Sequence, residues 1–114
     1  MVDYSFENVR KKIESFSNEG WRYDNAGGEY WYEHIAPFGS VVIGNNNGHN
    51  YIHFLDKNNK LIRHYSSDNP KDPDQYCPPD FVPNFFKKME NDAISKGESE
   101  RRESISKLEA WLQE

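Results

Sequence analysis

The chain has 114 residues, with 14 basic residues against 19 acidic ones and a formal net charge of −5 at pH 7. This length suits one core, and we expect a single domain over 1–114. The absence of a net positive charge argues against binding duplex nucleic acid, and no apolar run approaches the ~20 residues that span a bilayer. The single cysteine, Cys77, excludes a disulfide within the chain and suits a reducing compartment. We therefore expect a cytoplasmic protein, or one in the host cytoplasm if a phage encodes it.

A helix and two strands are predicted in the first third of the chain. Ser5 is a suitable N-cap, and Gly20 should end the helix. The apolar positions of this helix recur at spacings of three, four and three residues, which define one face: Phe6, Val9, Ile13 and Phe16. Two strands should follow, over 21–24 and 29–35.

A hairpin is predicted at Asn47-Gly48, because a type I′ turn needs positive φ at both central residues and these residue types adopt it. This turn pairs Ile43 with Ile52. If a tight turn at Pro37-Phe38 joins the preceding strands, Glu33 should lie opposite Val42.

A second hairpin is predicted over 56–60, as a type I turn followed by a left-handed residue at Asn59. This turn pairs Phe54 with Ile62. Because side chains alternate across a strand, both turns place Ile52 and Phe54 on the same face.

The two faces of this sheet differ in chemistry. One is expected to be the core face, with the side chains of Val41, Ile43, Ile52, Phe54, Ile62 and His64. The other is expected to carry a candidate binding surface made of Trp31, Glu33, Tyr51, His53, Arg63 and Tyr65. Such a set could be cross-strand packing, a protein interface, a small-ligand or nucleotide site, or an acid–base centre.

The segment 66–83 is rich in proline and aspartate, and a loop of this length is often functional or mobile. Its Asp68, Asp72 and Asp74 could contact a basic partner, or the segment could be a solvated connector. After it, Asp80 can cap a helix that we expect to break at Gly97.

A last helix is predicted from about residue 99. Its apolar stripe consists of Ile105, Leu108, Trp111 and Leu112. The expected architecture is α+β: an N-terminal helix, a four- to five-stranded antiparallel meander, and one or two C-terminal helices packed on the sheet.

No metal site or cofactor site is expected. The histidines and Cys77 match no zinc spacing, and the Asp residues of the acidic loop lack the regularity of a calcium loop. Cys77 has no base near it in sequence that could make it a nucleophile.

The sequence therefore favours a protein-interaction module over an enzyme. Small size, acidity and aromatic residues are typical of an inhibitor or neutraliser of another protein, such as an immunity protein, an antitoxin or a phage counter-defence factor. The alternative is a small-molecule or nucleotide-binding domain, in one version a hydrolase, that uses the Tyr/His/Arg sheet face.

Overall fold

The computed structural model describes residues 2–68 and 70–114; Met1 and Asn69, the latter within the predicted 66–83 loop, lie outside the described residues. The elements in chain order are α1 (Phe6–Glu14), β1 (Arg22–Ala26), β2 (Glu29–Ala36), β3 (Gly39–Asn46), β4 (His49–Asp56), β5 (Leu61–Ser66) and α2 (Phe81–Leu112). The predicted α+β order of helix, antiparallel meander and C-terminal helix is confirmed.

Helix α1 begins where its capping residue predicts. The Ser5 hydroxyl accepts a hydrogen bond from the Asn8 backbone N–H at 3.5 Å, which satisfies one free donor of the first turn. Val9 and Ile13 are buried along one face. The helix ends at Glu14, earlier than predicted, and Gly20 instead closes a separate 3-10 turn.

The five strands form one antiparallel sheet in the order β1-β2-β3-β4-β5. Asn47 and Gly48 have φ values of 52° and 92°, as a type I′ turn requires. The predicted pairings of Ile43 with Ile52 and of Glu33 with Val42 are both confirmed.

The predicted register between β4 and β5 is wrong, because Phe54 pairs with Arg63 and not with Ile62. Asn59 is left-handed, with φ of 62°, so the turn itself is as predicted. A β-bulge follows, because Leu55 pairs with Leu61 while Phe54 pairs with Arg63, and Ile62 has no pairing partner in the ladder. Every later β5 side chain therefore lies on the face opposite to the one we predicted.

Burial of a tyrosine explains why the bulge is favourable. It aligns Ile43, Ile52 and Tyr65 in one cross-strand row, and all three side chains are fully buried. Ile62, which the unbulged register would place in the core, is instead 56% exposed. A tyrosine ring buries more apolar area than isoleucine, and its hydroxyl here has a hydrogen-bond partner.

Helix α2 is one continuous helix, so the predicted break at Gly97 is wrong. A glycine inside a helix costs only ~0.5–1 kcal/mol relative to alanine, which the neighbouring helix-forming residues can offset.

The chain divides into two compact units, Met1–Asn84 and Phe85–Glu114, and the prediction of a single domain stays a prediction. In the part of the chain that is described, no helix is both long and apolar enough to cross a membrane.

Candidate functional site

Four of the six predicted site residues share one face of the sheet. Trp31 and Tyr51 lie on either side of Gly44, and Glu33 and His53 lie on either side of Val42. We call the surface formed by Trp31, Glu33, Tyr51 and His53 the Tyr51 face.

Tyr51 is fixed in place by its neighbours on this face. Its hydroxyl donates a hydrogen bond of 2.5 Å to Glu29 Oε1, and its ring stacks on the His53 imidazole with centroids 4.2 Å apart. Burial, and then the bond to Glu29, raise the pKa of Tyr51 above its usual value. With 6% of its surface exposed, Tyr51 has little area left for a partner.

His53 continues the row towards β5. Its ring lies 4.9 Å from that of His64, which the bulge brings to this face although we predicted it on the other. Burial and, to a smaller extent, the charge of His64 lower the pKa of His53 to about 4, against an opposing effect of Glu29. The imidazole is therefore neutral at pH 7 and can act as a hydrogen-bonding group without carrying charge.

Arg63 and Tyr65 do not lie on this face, so their predicted placement is wrong, while their role in binding stays a prediction. The bulge turns both to the opposite face, where Tyr65 is fully buried. The Tyr65 hydroxyl donates to the Tyr4 carbonyl oxygen at 2.6 Å, and the Arg63 guanidinium lies 3.7 Å above the Tyr4 ring centroid. The two residues therefore attach the N-terminal segment to the sheet, and the predicted row of Glu33, His53 and Arg63 does not form.

A cavity of about 640 Å³ opens between α1 and this second face. We call it the α1 cavity. Most of its lining is apolar, with contributions from α1, the β2–β3 turn and β3–β5: Val9, Ile13, Phe16, Val41, Phe54 and Ile62. Sequence reasoning missed it, because the bulge that forms one wall has no Gly or Pro signal.

The acidic loop is partly ordered by its own side chains. The Asp72 carboxylate accepts from the Asp74 backbone N–H at 3.1 Å, and Asp68 lies 3.8 Å from the exposed His49 ring. The loop begins beside β5, where Ser66 forms a parallel bridge with Tyr76. That its three predicted contact residues, Asp68, Asp72 and Asp74, bind a basic partner stays a prediction.

Neither a metal site nor a reactive thiol is apparent in the described parts of the chain. Over 2–68 and 70–114, no group of three or more His, Cys, Asp or Glu side chains is arranged to hold an ion. Cys77 is fully buried, and burial, with a smaller effect of Asp80, raises the pKa of its thiol to about 12. A thiol that stays protonated at pH 7 is a poor nucleophile.

The C-terminal half of α2 has an unusual exposure pattern. Every residue from Glu90 to Glu114 is exposed, including those of the predicted apolar stripe. We call this set the α2 stripe, and its exposed fractions are 43% for Ile105, 52% for Leu108, 67% for Trp111 and 67% for Leu112. The residues were recognisable from sequence as one helical face, but a sequence pattern does not show whether that face is covered.

In comparisons with known protein families, characterised proteins and solved structures, the chain matches none of them.

Proposed function

We propose that this protein is a non-catalytic interaction module that neutralises or inhibits another protein, and that it binds this partner through the α2 stripe. The observation that carries the proposal is the exposure of four large apolar side chains on one face of a helix that is exposed along its whole C-terminal part. An amphipathic helix gains most of its stability from packing its apolar face, so an uncovered stripe of this kind favours a partner.

The spacing of the stripe suits recognition of a helix by a groove. Ile105, Leu108 and Leu112 follow each other at three and four residues, and Trp111 lies beside them. Anchors at these positions are typical of an amphipathic helix that inserts into an apolar groove. Tryptophan is also enriched among residues whose truncation costs ~2 kcal/mol or more in binding.

Charge favours a basic partner. Residues 1–84 contain twelve acidic and eight basic residues, a net charge of −4, and residues 85–114 contain seven acidic and six basic residues, a net charge of −1. Asp68, Asp72 and Asp74 add exposed or partly exposed negative charge in one loop. A field of this sign would accelerate encounter with a positively charged protein, mainly through the association rate.

The Tyr51 face has a different part in this proposal. The burial of Tyr51 and the neutral His53 support a role in stabilising the sheet. The binding surface therefore lies on α2 and not on the sheet, and the acidic loop attracts the partner by its charge. The fully buried thiol of Cys77 is compatible with the reducing cytoplasm that we propose as the setting.

The experiment is a quantitative capture from the native cell, followed by reconstitution with the purified partner. The variant Ile105→Gln/Leu108→Gln should lose at least about tenfold in affinity, because two apolar anchors become polar while glutamine keeps helix propensity. Association of the wild type should also slow as salt is raised.

A matched control places the same substitutions on the other side of the helix. Ser106→Gln/Ala110→Gln should bind the partner as the wild type does, since these positions face away from the stripe. Equal binding by the stripe variant and the control would overturn the proposal, and so would capture of nothing except further copies of the chain.

A further inference from the structure

We infer that the α1 cavity is a binding site for a small apolar molecule with one anionic head group, such as a medium-chain carboxylate. This site lies wholly within Met1–Asn84 and is separate from the α2 stripe, so it stands or falls independently of the proposed function. Three observations carry it: the volume of the cavity, the nature of its walls and the sign of its charges.

The volume lies in the range of ligand sites. Cavities that hold small molecules in proteins typically enclose ~300–1,000 Å³, and this one encloses about 640 Å³. Two of its lining residues are exposed at the surface, Phe38 to 43% and Ile62 to 56%, so a ligand can enter there.

The apolar walls of the cavity favour a ligand whose main part is apolar. The α1 side contributes Val9 and Ile13, and the sheet side contributes Val41 and Phe54. An alkyl chain or ring placed between these side chains would be removed from water on both sides, at ~25 cal/mol for each Å² of apolar surface buried.

The positively charged side chains that line the cavity favour a ligand with an anionic head group. Among the described lining residues the charged groups are Lys12 and Arg63, and no carboxylate accompanies them. In the described ranges 2–68 and 70–114, Lys12 forms no ion pair with protein. Two cations at an apolar cavity attract one negative charge more strongly than a neutral or cationic head group.

The Arg63 guanidinium is already oriented by contacts within the protein. Its Nε donates to the Tyr65 hydroxyl at 3.2 Å and its Nη2 donates to the Asp74 carbonyl oxygen at 2.9 Å. The guanidinium also stacks on Tyr4. These contacts fix the plane of the group, and because a guanidinium has five N–H donors, others stay available to a carboxylate.

The test uses decanoate as the anionic probe and 1-decanol as its uncharged counterpart, each titrated into the full chain and followed by calorimetry and amide NMR. Decanoate should bind saturably, with the largest shifts at Val41, Phe54 and Ile62. Decanol should bind about two- to fivefold more weakly, as expected for partly exposed charge pairs.

Two variants and one control variant make the result specific. Lys12→Gln should weaken decanoate but not decanol, whereas Lys11→Gln, its neighbour on the same helix and outside the cavity lining, should change neither. Ala36→Leu should block both probes by filling the cavity, with the retained melting transition showing that the fold is intact. Absence of saturable binding, shifts concentrated in residues 85–114, or equal effects of Lys12→Gln and Lys11→Gln would each overturn the inference.

Discussion

Tyr51 and Gly44 depend on each other at the centre of the sheet. A Cβ built on Gly44 would overlap the Tyr51 ring and crowd the Trp31 side chain, so only glycine fits at this position. The ring can therefore cross the neighbouring strand and reach Glu29 with its hydroxyl. This arrangement satisfies the phenol while burying it, which is the usual condition for burying tyrosine.

We predict that Gly44→Ala destabilises the protein by about 1–3 kcal/mol, because overpacking here displaces the Tyr51 ring from Glu29 and His53. Urea unfolding at pH 7 measures the change in free energy. A substitution at Gly44 without cost would mean that the Tyr51 ring does not cover it.

His53 gives a pH-dependent prediction at the same scale. Its pKa is about 4 in the folded protein, whereas the pKa of an exposed histidine in the unfolded chain is ~6.5. Between these values the unfolded chain binds a proton that the folded chain does not. The contribution of His53 is thus fully present above pH ~6.5 and is lost as the pH falls towards 4.

We therefore expect His53→Gln to lose less unfolding free energy than the wild type between pH 7 and pH 5, as measured by urea titration. His49→Gln, on the same strand with a mostly exposed ring, serves as the control and should follow the wild type. A His53 variant with the wild-type pH profile would contradict the burial of this imidazole in its neutral form.

At the scale of elements, turn chemistry was predictable and the bulge was not. Asn47-Gly48 and Asn59 specify their turns through φ values that few residue types adopt, so both turns could be predicted from local sequence. The bulge at Ile62 depends on burying Tyr65 beneath the N-terminal segment, which is a long-range effect. A shift of one residue then moved Arg63 and Tyr65 off the predicted surface and His64 onto it.

At Gly97, too, local sequence did not predict the structure correctly. Local propensity predicted a break there, yet α2 runs through it, and a Cβ at this position would meet no neighbouring atom within 4 Å. We predict that Gly97→Ala raises helix content and stabilises the fold by about 0.5–1 kcal/mol. Circular dichroism with thermal unfolding measures both. Destabilisation by alanine would indicate that the chain bends at Gly97.

At the scale of the whole molecule, the chain combines a closely packed sheet with a helix whose C-terminal apolar stripe is exposed. Residues 1–84 contain the buried row, the α1 cavity and most of the net charge. Residues 85–114 contain the α2 stripe. On our account these regions have separate tasks: the first attracts a basic protein by its field, and the second provides the apolar anchors that hold it.

Photo-crosslinking in the native cell tests this account most directly. A benzophenone amino acid at position 108 should crosslink the chain to one discrete, different protein, because Leu108 lies at the middle of the α2 stripe. The same amino acid at position 110, on the opposite side of the helix, should not. Equal crosslinking from both positions, crosslinks only to further copies of this chain, or no crosslink from position 108 would contradict the claim that the α2 stripe binds another protein.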